Sequence, residues 1–363
     1  MTASRVARVR AVMDRLGVDA LLISLGADLP WLTGYTAMPL ERLTMLVLPA
    51  DGHAVLVVPQ LEAPRVVPNA EVFSTQSWPD TEDPVAIVAD LVGRRSTLAI
   101  SDRAWATFLL QLQARVPDAR WLPASLVTAP LRARKEPEEV RALAVAAAAA
   151  DRVATQLVGG EIPLIGRTEA DVSADISRRL IEQGHQHVNF AIVGSGPNSA
   201  SPHHDAGRRV IGPGEAVVCD FGGVMNGYCS DITRTVYTGA PPSEFRDLYA
   251  VLQSAQTAAV EAAVVGTPCE DVDGVARRII TDGGYGAHFI HRTGHGIGVE
   301  EHEDPYIVGG NCEPIAPGHA FSVEPGIYLA GQFGARIEDI VIAQPEGPLS
   351  INAVDHDLAI VEA

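Results

Sequence analysis

The chain has 363 residues, 47% of them hydrophobic, which is enough for two domains with real cores and too much for a disordered or low-complexity protein. A formal net charge of −18 excludes a nucleic-acid or anionic-membrane surface, because both need a basic face. No uninterrupted apolar run reaches the roughly 18 residues of a membrane span. The alanine-rich stretch 142–150 is short and is flanked by Arg141, Asp151 and Arg152. The opening stretch, MTASRVARVRAVMDRLG, scatters arginines through a helical pattern without the apolar core of a secretory signal, so the cytoplasm is the expected compartment. Cys219, Cys229, Cys269 and Cys312 have no paired spacing and read as small buried apolar residues in a reducing environment.

In chain order, Val6, Val9, Val12, Met13 and Leu16 fall at helical spacing over residues 2–16, and Gly17 suits the stop. Residues 18–24 read as a buried strand. Residues 43–49 and 54–59 flank Asp51-Gly52, a hairpin signal. Helices over 84–94 and 104–116, with a strand over 97–100 between them, complete an alternating pattern that predicts one α/β domain over residues 1–125. Nothing in it carries evident chemistry. His53 reads as a solvated turn residue, and Trp31, Tyr35 and Trp78 read as core or subunit contacts.

Residues 126–135, LVTAPLRARK, lack a clean period and read as a linker to a second domain over 136–363. Glu136, Glu138 and Glu139 open a long helix with acids where the helix dipole favours them. The element order then repeats. Helices over about 137–158 and 168–184 precede strands, and helices over about 243–265 and 269–282 precede a second set of strands. No obvious identity links the two halves. A duplicated helix-helix-sheet unit would bring the hairpins of both halves to one central sheet.

The first hairpin is VVCDFGGVMNGYCSDITRTV, residues 217–236. Asp220 closes one apolar run, Asp231 opens a β-branched one, and Gly222, Gly223, Asn226 and Gly227 lie between them. A fold between Met225 and Asn226 would set the two aspartates directly opposite each other. Alone they fit turn-capping aspartates as well as metal ligands. Downstream, however, Glu324 and Glu338 flank a second Gly-rich turn, and His295 lies in HRTGHGIG. Facing carboxylates in apolar strands repel and resist desolvation, so a cation is expected between them. Four carboxylates and one imidazole would balance two divalent ions, and oxygen-rich ligation suits Mn²⁺, Co²⁺ or Zn²⁺. Five side chains fill two shells only if some carboxylates bridge, as in two-metal hydrolases.

With Asp220, Asp231, His295, Glu324 and Glu338 in this order and these local sequences, the chain resembles the pita-bread metallopeptidases over nearly its whole length, in particular the Xaa-Pro dipeptidase (prolidase) and aminopeptidase P branch. The resemblance implies a creatinase-like N-terminal α/β domain followed by a pseudo-twofold α+β pita-bread catalytic domain. It implies that Asp220 holds one metal, that His295 and Glu324 hold the other, and that Asp231 and Glu338 bridge them, with Mn²⁺ the first expectation and Co²⁺ or Zn²⁺ alternatives. A metal-bridging hydroxide would attack the Xaa-Pro bond of a dipeptide or peptide N-terminus while Glu324 moves the proton. His203, in SASPHHD, and His302, in VEEHEDP, would hydrogen-bond the reacting peptide, with His204 a supporting residue and His291 a structural one. Arg336 lies two residues before Glu338 on the same strand face; it would pair with a ligand carboxylate or touch substrate. Tyr228 and Thr233 would orient ligands. A proline-containing peptide is the implied substrate and a homodimer the implied assembly. Where many dipeptidases of the family carry an arginine after HExP, this chain has Tyr306, which leaves dipeptidase and aminopeptidase both open. The competing readings are a metal-dependent amide or amidine hydrolase of a small non-peptide substrate and a non-catalytic pita-bread binding module.

Overall fold

The computed structural model describes residues 3–361, which divide into two compact units on either side of the boundary between Arg132 and Ala133. The first unit is built on six strands: β1 (Ala20–Ile23), β2 (Met45–Pro49), β3 (Ala54–Pro59), β4 (Phe73–Trp78), β5 (Thr97–Ile100) and β6 (Arg120–Pro123). Their order is β4-β3-β2-β1-β5-β6. The β2–β3 hairpin is antiparallel, as Asp51-Gly52 predicts, and β2 also runs antiparallel to β1, while the outer pairs are parallel. Helices α1 (Ala3–Leu16), α2 (Asp28–Thr33), α3 (Pro84–Val92) and α4 (Ala106–Arg115) accompany the sheet. The core joins Val85, Val88, Phe108 and Leu112 to Leu22, Val57 and Leu98. Strand β1 is buried along its whole length, which is why it reads as a continuous apolar run. Trp31, Tyr35 and Trp78 are all core residues, and Trp78 donates its indole N–H to Leu43 O at 3.0 Å. His53 is exposed.

Residues 126–135 fall largely within a further helix, α5 (Ser125–Ala133), which accommodates Pro130. The linker expected there is therefore mostly helical. In the second unit, α6 (Pro137–Val158) starts on a reciprocal capping box between Glu136 and Glu139. Helices α7 (Glu169–Glu182), α8 (Ser243–Ala262) and α9 (Cys269–Asp282) follow. In the first half, α6 and α7 pack through Val153, Leu157 and Ile176 onto β7 (His187–Ser195), β8 (Ala216–Met225) and β9 (Tyr228–Thr238). In the second half, α8 and α9 pack through Leu252, Ala259 and Val272 onto β10 (Gly294–Gly296), β11 (Glu303–Ile307), β12 (Ala320–Val323), β13 (Gly326–Leu329), β14 (Phe333–Arg336) and β15 (Asp339–Gln344). Strands β16 (Gly347–Ser350) and β17 (Ala359–Val361) extend the two sheets, whose orders are β17-β9-β8-β7 and β11-β10-β12-β15-β16. The halves meet where Glu338 N donates to Thr233 O at 3.2 Å.

The first hairpin departs from its expected register. Its turn is Asn226-Gly227, both at positive φ (54° and 80°), so Met225 pairs with Tyr228. Asn-Gly favours this two-residue turn because both central positions need the left-handed region. Asp220 therefore faces Thr233, and Asp231 faces Gly222, each partner shifted by two residues from the expected pairing. Period two keeps both aspartates on the same sheet face as diagonal neighbours. The second hairpin keeps its expected register. Val323 pairs with Asp339 and Gly326 with Arg336, so a single register sets Glu324 opposite Glu338 between the two ladders.

Cys219, Cys229 and Cys269 are buried thiols, but Cys312 is exposed, contrary to its expected burial, and bonds through Sγ to Glu270 Oε1 at 3.0 Å. Among the described residues no helix is long and apolar enough to cross a membrane. A side chain on Gly222 would put Cβ 2.1 Å from Ser230 O and 3.0 Å from the Phe190 ring. Gly222→Ala is therefore expected to lower unfolding stability by about 1–3 kcal/mol in a denaturant titration; an unchanged midpoint would contradict this packing.

Candidate metal centre

All five ligand candidates lie within or between strands of the second unit: Asp220 on β8, Asp231 on β9, His295 on β10, Glu324 between β12 and β13, and Glu338 between β14 and β15. Together with His203, His302 and Arg336 they line one cavity of about 510 Å³. The structure thus brings all eight expected site residues to one place. One ligand atom each from Asp231, His295 and Glu338 lies within 4.8 Å of the others. His295 Nε2 is 3.1 Å from Glu324 Oε1 and 3.7 Å from Asp231 Oδ2. Its Nδ1 donates to Gly296 O at 3.1 Å, which turns Nε2 toward the carboxylates, where it donates to them while protonated and offers its lone pair to a cation once deprotonated.

Arg336 is buried beneath this cluster and donates from Nη2 to Asp220 Oδ2 at 2.6 Å. Its Nε donates to Thr233 Oγ1 at 3.1 Å, and Thr233 in turn donates to Glu338 Oε2 at 2.6 Å. Its Nη1 donates to the Tyr328 hydroxyl at 2.8 Å, which sits 2.9 Å from His291 Nε2. One buried guanidinium thus braces ligand candidates from both halves. Thr233 orients a carboxylate as expected. Tyr228 does not: its hydroxyl donates to Glu139 on α6 at 2.8 Å. His291, expected to be structural, both lines the cavity and joins this network. Tyr328 was not anticipated, because a tyrosine in an apolar strand reads as core until its cross-strand partners are known. The cavity wall also holds Phe190 and Ile192, and Arg292 lies over the Tyr306 ring at 4.4 Å.

The electrostatics of this cavity are unbalanced. Burial, reinforced by neighbouring carboxylates, holds Asp231 and Glu338 well above the usual carboxylate range, and burial also raises Asp220 despite the adjacent Arg336. For Glu324 burial is outweighed by the hydrogen bond and charge of His295, which bring it down to about 2. Asp220 Oδ1 is buried with no hydrogen-bond partner. An orphaned carboxylate oxygen beside two other buried carboxylates, the half-buried Glu324 and an imidazole nitrogen turned toward them is what a divalent-cation site provides, so these residues fit one. His302 packs edge-on against His295 with ring centroids 4.1 Å apart. Partial burial, then the charges of His295 and Arg292, lower its pKa to about 4, so its ring is neutral near pH 7.

A profile described as metallopeptidase family M24 matches residues 140–345, and one described as the creatinase/prolidase N-terminal domain matches residues 5–134. The chain belongs to metallopeptidase family M24. It is 43% identical to the probable dipeptidase PepE of Mycobacterium bovis, with 99% of this chain and 96% of that protein covered. It is 38% identical to a Xaa-Pro dipeptidase of Lactobacillus helveticus, with 94% of this chain and 95% of that protein covered. The crystal structure of a prolidase from Thermococcus sibiricus superposes with a TM-score of 0.93 at 35% identity, covering 99% of this chain and 100% of that one. The chain is accordingly a metallopeptidase of the pita-bread prolidase and aminopeptidase P branch, with a creatinase-type N-terminal domain, and its family uses divalent metal.

Metal occupancy and pH are linked through the raised carboxylates. A carboxyl whose native pKa lies above its unfolded value weakens the fold as pH rises past the unfolded value, and the full cost persists above the native one. Asp231 and Glu338 have this sign, so cations that bind their ionised forms should stabilise the protein most where the cost is full. In chelator-stripped protein, added Mn²⁺ is expected to raise the melting temperature more at about pH 7.5 than at about pH 5. An equal or smaller gain at the higher pH would contradict the charge assignment.

Proposed function

We propose that the protein is a two-metal Xaa-Pro dipeptidase, and that Mn²⁺ is its working metal. The observation that carries this reading is the convergence of three buried carboxylates, the half-buried Glu324 and one imidazole on a single cavity that also holds three further histidines. The relatives named dipeptidase and Xaa-Pro dipeptidase support the dipeptide branch. Membership of a peptidase family speaks against both the non-peptide amide hydrolase and the non-catalytic binding module.

The proposed ligand roles are Asp220 for one ion, His295 and Glu324 for the other, and Asp231 and Glu338 between them. When bound, the ions supply Lewis-acid activation of a water and of the scissile carbonyl. The chain's own residues do the rest. Glu324 takes a proton from the water and passes it to the leaving nitrogen. His203 and neutral His302 hydrogen-bond the peptide oxygen as charge develops on it. Arg336, with Nε, Nη1 and Nη2 all engaged by protein acceptors, holds Asp220 and aligns Glu338 through Thr233 rather than contacting substrate. Phe190 and Ile192 give an apolar wall for a proline ring, which has no N–H to satisfy. A homodimer is proposed from the family resemblance, and a cytoplasmic location from the pattern of the opening stretch.

The test is hydrolysis of a Xaa-Pro dipeptide, a Xaa-Pro tripeptide and the matched Xaa-Ala peptides by stripped protein with Mn²⁺, Co²⁺ or Zn²⁺ restored. Metal-dependent cleavage of the Xaa-Pro dipeptide, fastest with Mn²⁺, is expected. Equal cleavage of Xaa-Ala would remove the proline assignment, and faster cleavage of the tripeptide would make the enzyme an aminopeptidase. His203→Ala should lower kcat by about 100-fold or more while metal content stays unchanged; a wild-type kcat would take His203 out of the reaction.

A further inference from the structure

Glu169, the first residue of α7, is fully buried at 0% exposure and lies outside the ligand cluster. One segment of chain wraps its carboxylate. Oε1 accepts from Ser195 N at 2.8 Å, Ser195 Oγ at 2.7 Å and Asn198 Nδ2 at 3.0 Å. Oε2 accepts from Asn198 Nδ2 at 3.1 Å, His204 Nε2 at 2.8 Å and Gly207 N at 3.4 Å. The backbone continues the clamp, since Glu169 N and Ala170 N donate to Arg209 O and Gly207 O, both at 3.0 Å. Burial raises the Glu169 pKa, but the donors from His204, Ser195 and Asn198 more than offset it, so the group is held ionised. Its place in the first turn of α7 adds the favourable end of the helix dipole.

His203 is carried on this wrapped segment, directly beside His204, and lines the cavity. The opposite side of the segment is tied to the second half of the unit. Gly334 N donates to Ser199 Oγ at 2.8 Å, and Arg336 Nη1 donates to Pro202 O at 3.3 Å. The segment is thus pinned from below by one carboxylate and from above by the hairpin that leads to Glu338. A loop of this length has many conformations in isolation, and a buried ionised group accepting from four of its residues selects one.

We propose that Glu169 is a positioning residue for the peptidase reaction: it fixes segment 195–207 and, through His204, sets where His203 stands in the cavity. The inference rests on the substrate-binding role proposed above for His203. Glu169 makes no contact with the ligand set in this network, so its loss should leave the metals in place. Glu169→Gln keeps one acceptor oxygen and turns an N–H₂ group toward donors, while His204→Ala removes a single half-buried donor; the two perturb the same clamp by different routes.

Both variants are compared with wild type as the metal-loaded full chain, by metal content, steady-state kinetics and amide hydrogen exchange. Segment 195–207 is expected to exchange about 10-fold faster or more, because its opening free energy falls. Metal content is expected to stay at the wild-type value, and kcat to fall by about 10–100-fold, the order of loss produced by a misplacement of about 1 Å. The double variant Glu169→Gln/His203→Ala should be no slower than His203→Ala alone, because the two act through one side chain. Wild-type exchange in Glu169→Gln, loss of metal, or multiplicative losses in the double variant would overturn the proposal. A wild-type rate for His203→Ala would instead overturn the role of His203, and the exchange of segment 195–207 would still decide whether Glu169 anchors it.

Discussion

Three buried carboxylates, Asp220, Asp231 and Glu338, set around one cavity with the half-buried Glu324, are the constraint that the second unit is arranged to sustain. Like charges in a poorly polarisable interior push each other toward the neutral form, and Asp220, Asp231 and Glu338 all feel this push. Arg336 answers only part of it. Its guanidinium pairs with Asp220 and reaches Glu338 through Thr233, but Asp220 keeps one oxygen without a partner. A flexible site would relieve the repulsion by moving apart. Here Asp220 and Asp231 project from a paired ladder, Glu324 and Glu338 from the short breaks between paired strands, and the glycines at 222, 294 and 296 let neighbouring backbones approach more closely than a Cβ would allow. The repulsion is therefore built into the backbone, and cations are its natural relief.

The two halves of the second unit solve a common problem in parallel ways. Each sends a chain segment from its sheet to the cavity, and each anchors that segment on a buried carboxylate of its second helix. In the first half Glu169 gathers the segment that carries His203. In the second half Asp273 on α9 accepts from Thr293 N at 3.0 Å and Thr293 Oγ1 at 2.8 Å, two residues before His295, and is itself paired with Arg277. The cavity is thus lined by side chains on or between paired strands and by tethered segments, one carrying His203 and the other leading into His295. Side chains supported in this way are held in place by the fold itself.

Much of this was legible in the sequence, for identifiable reasons. Aspartate at the end of a β-branched or apolar run is costly, so Asp220, Asp231, Glu324 and Glu338 stood out from an otherwise apolar pattern, and all four reach the same cavity. The helices of the second unit were visible from their period and caps, within a few residues at each end. The register of the first hairpin was not, because the turn was placed one residue too early and Asn226-Gly227 was not given its two-residue preference. Strand β4 was missed because Ser74, Thr75, Gln76 and Ser77 occupy its exposed middle and mask the pattern. Glu169 and Tyr328 were missed for a different reason. Each is defined by partners distant in sequence, and a glutamate at a helix start or a tyrosine in a strand has an ordinary local explanation. Burial of the glutamate among donors from residues 195–207 is a tertiary fact that no local spacing encodes.

The proposed two-metal centre is tested most directly by anomalous diffraction at the manganese edge from crystals of stripped protein soaked in Mn²⁺. Two peaks per chain are expected, both within bonding distance of the Asp231 and Glu338 carboxylates, with Asp220 on one and His295 and Glu324 on the other. A single peak, or peaks away from this cavity, would contradict a two-metal site and return the four carboxylates of the cavity to the problem of how their charge is held.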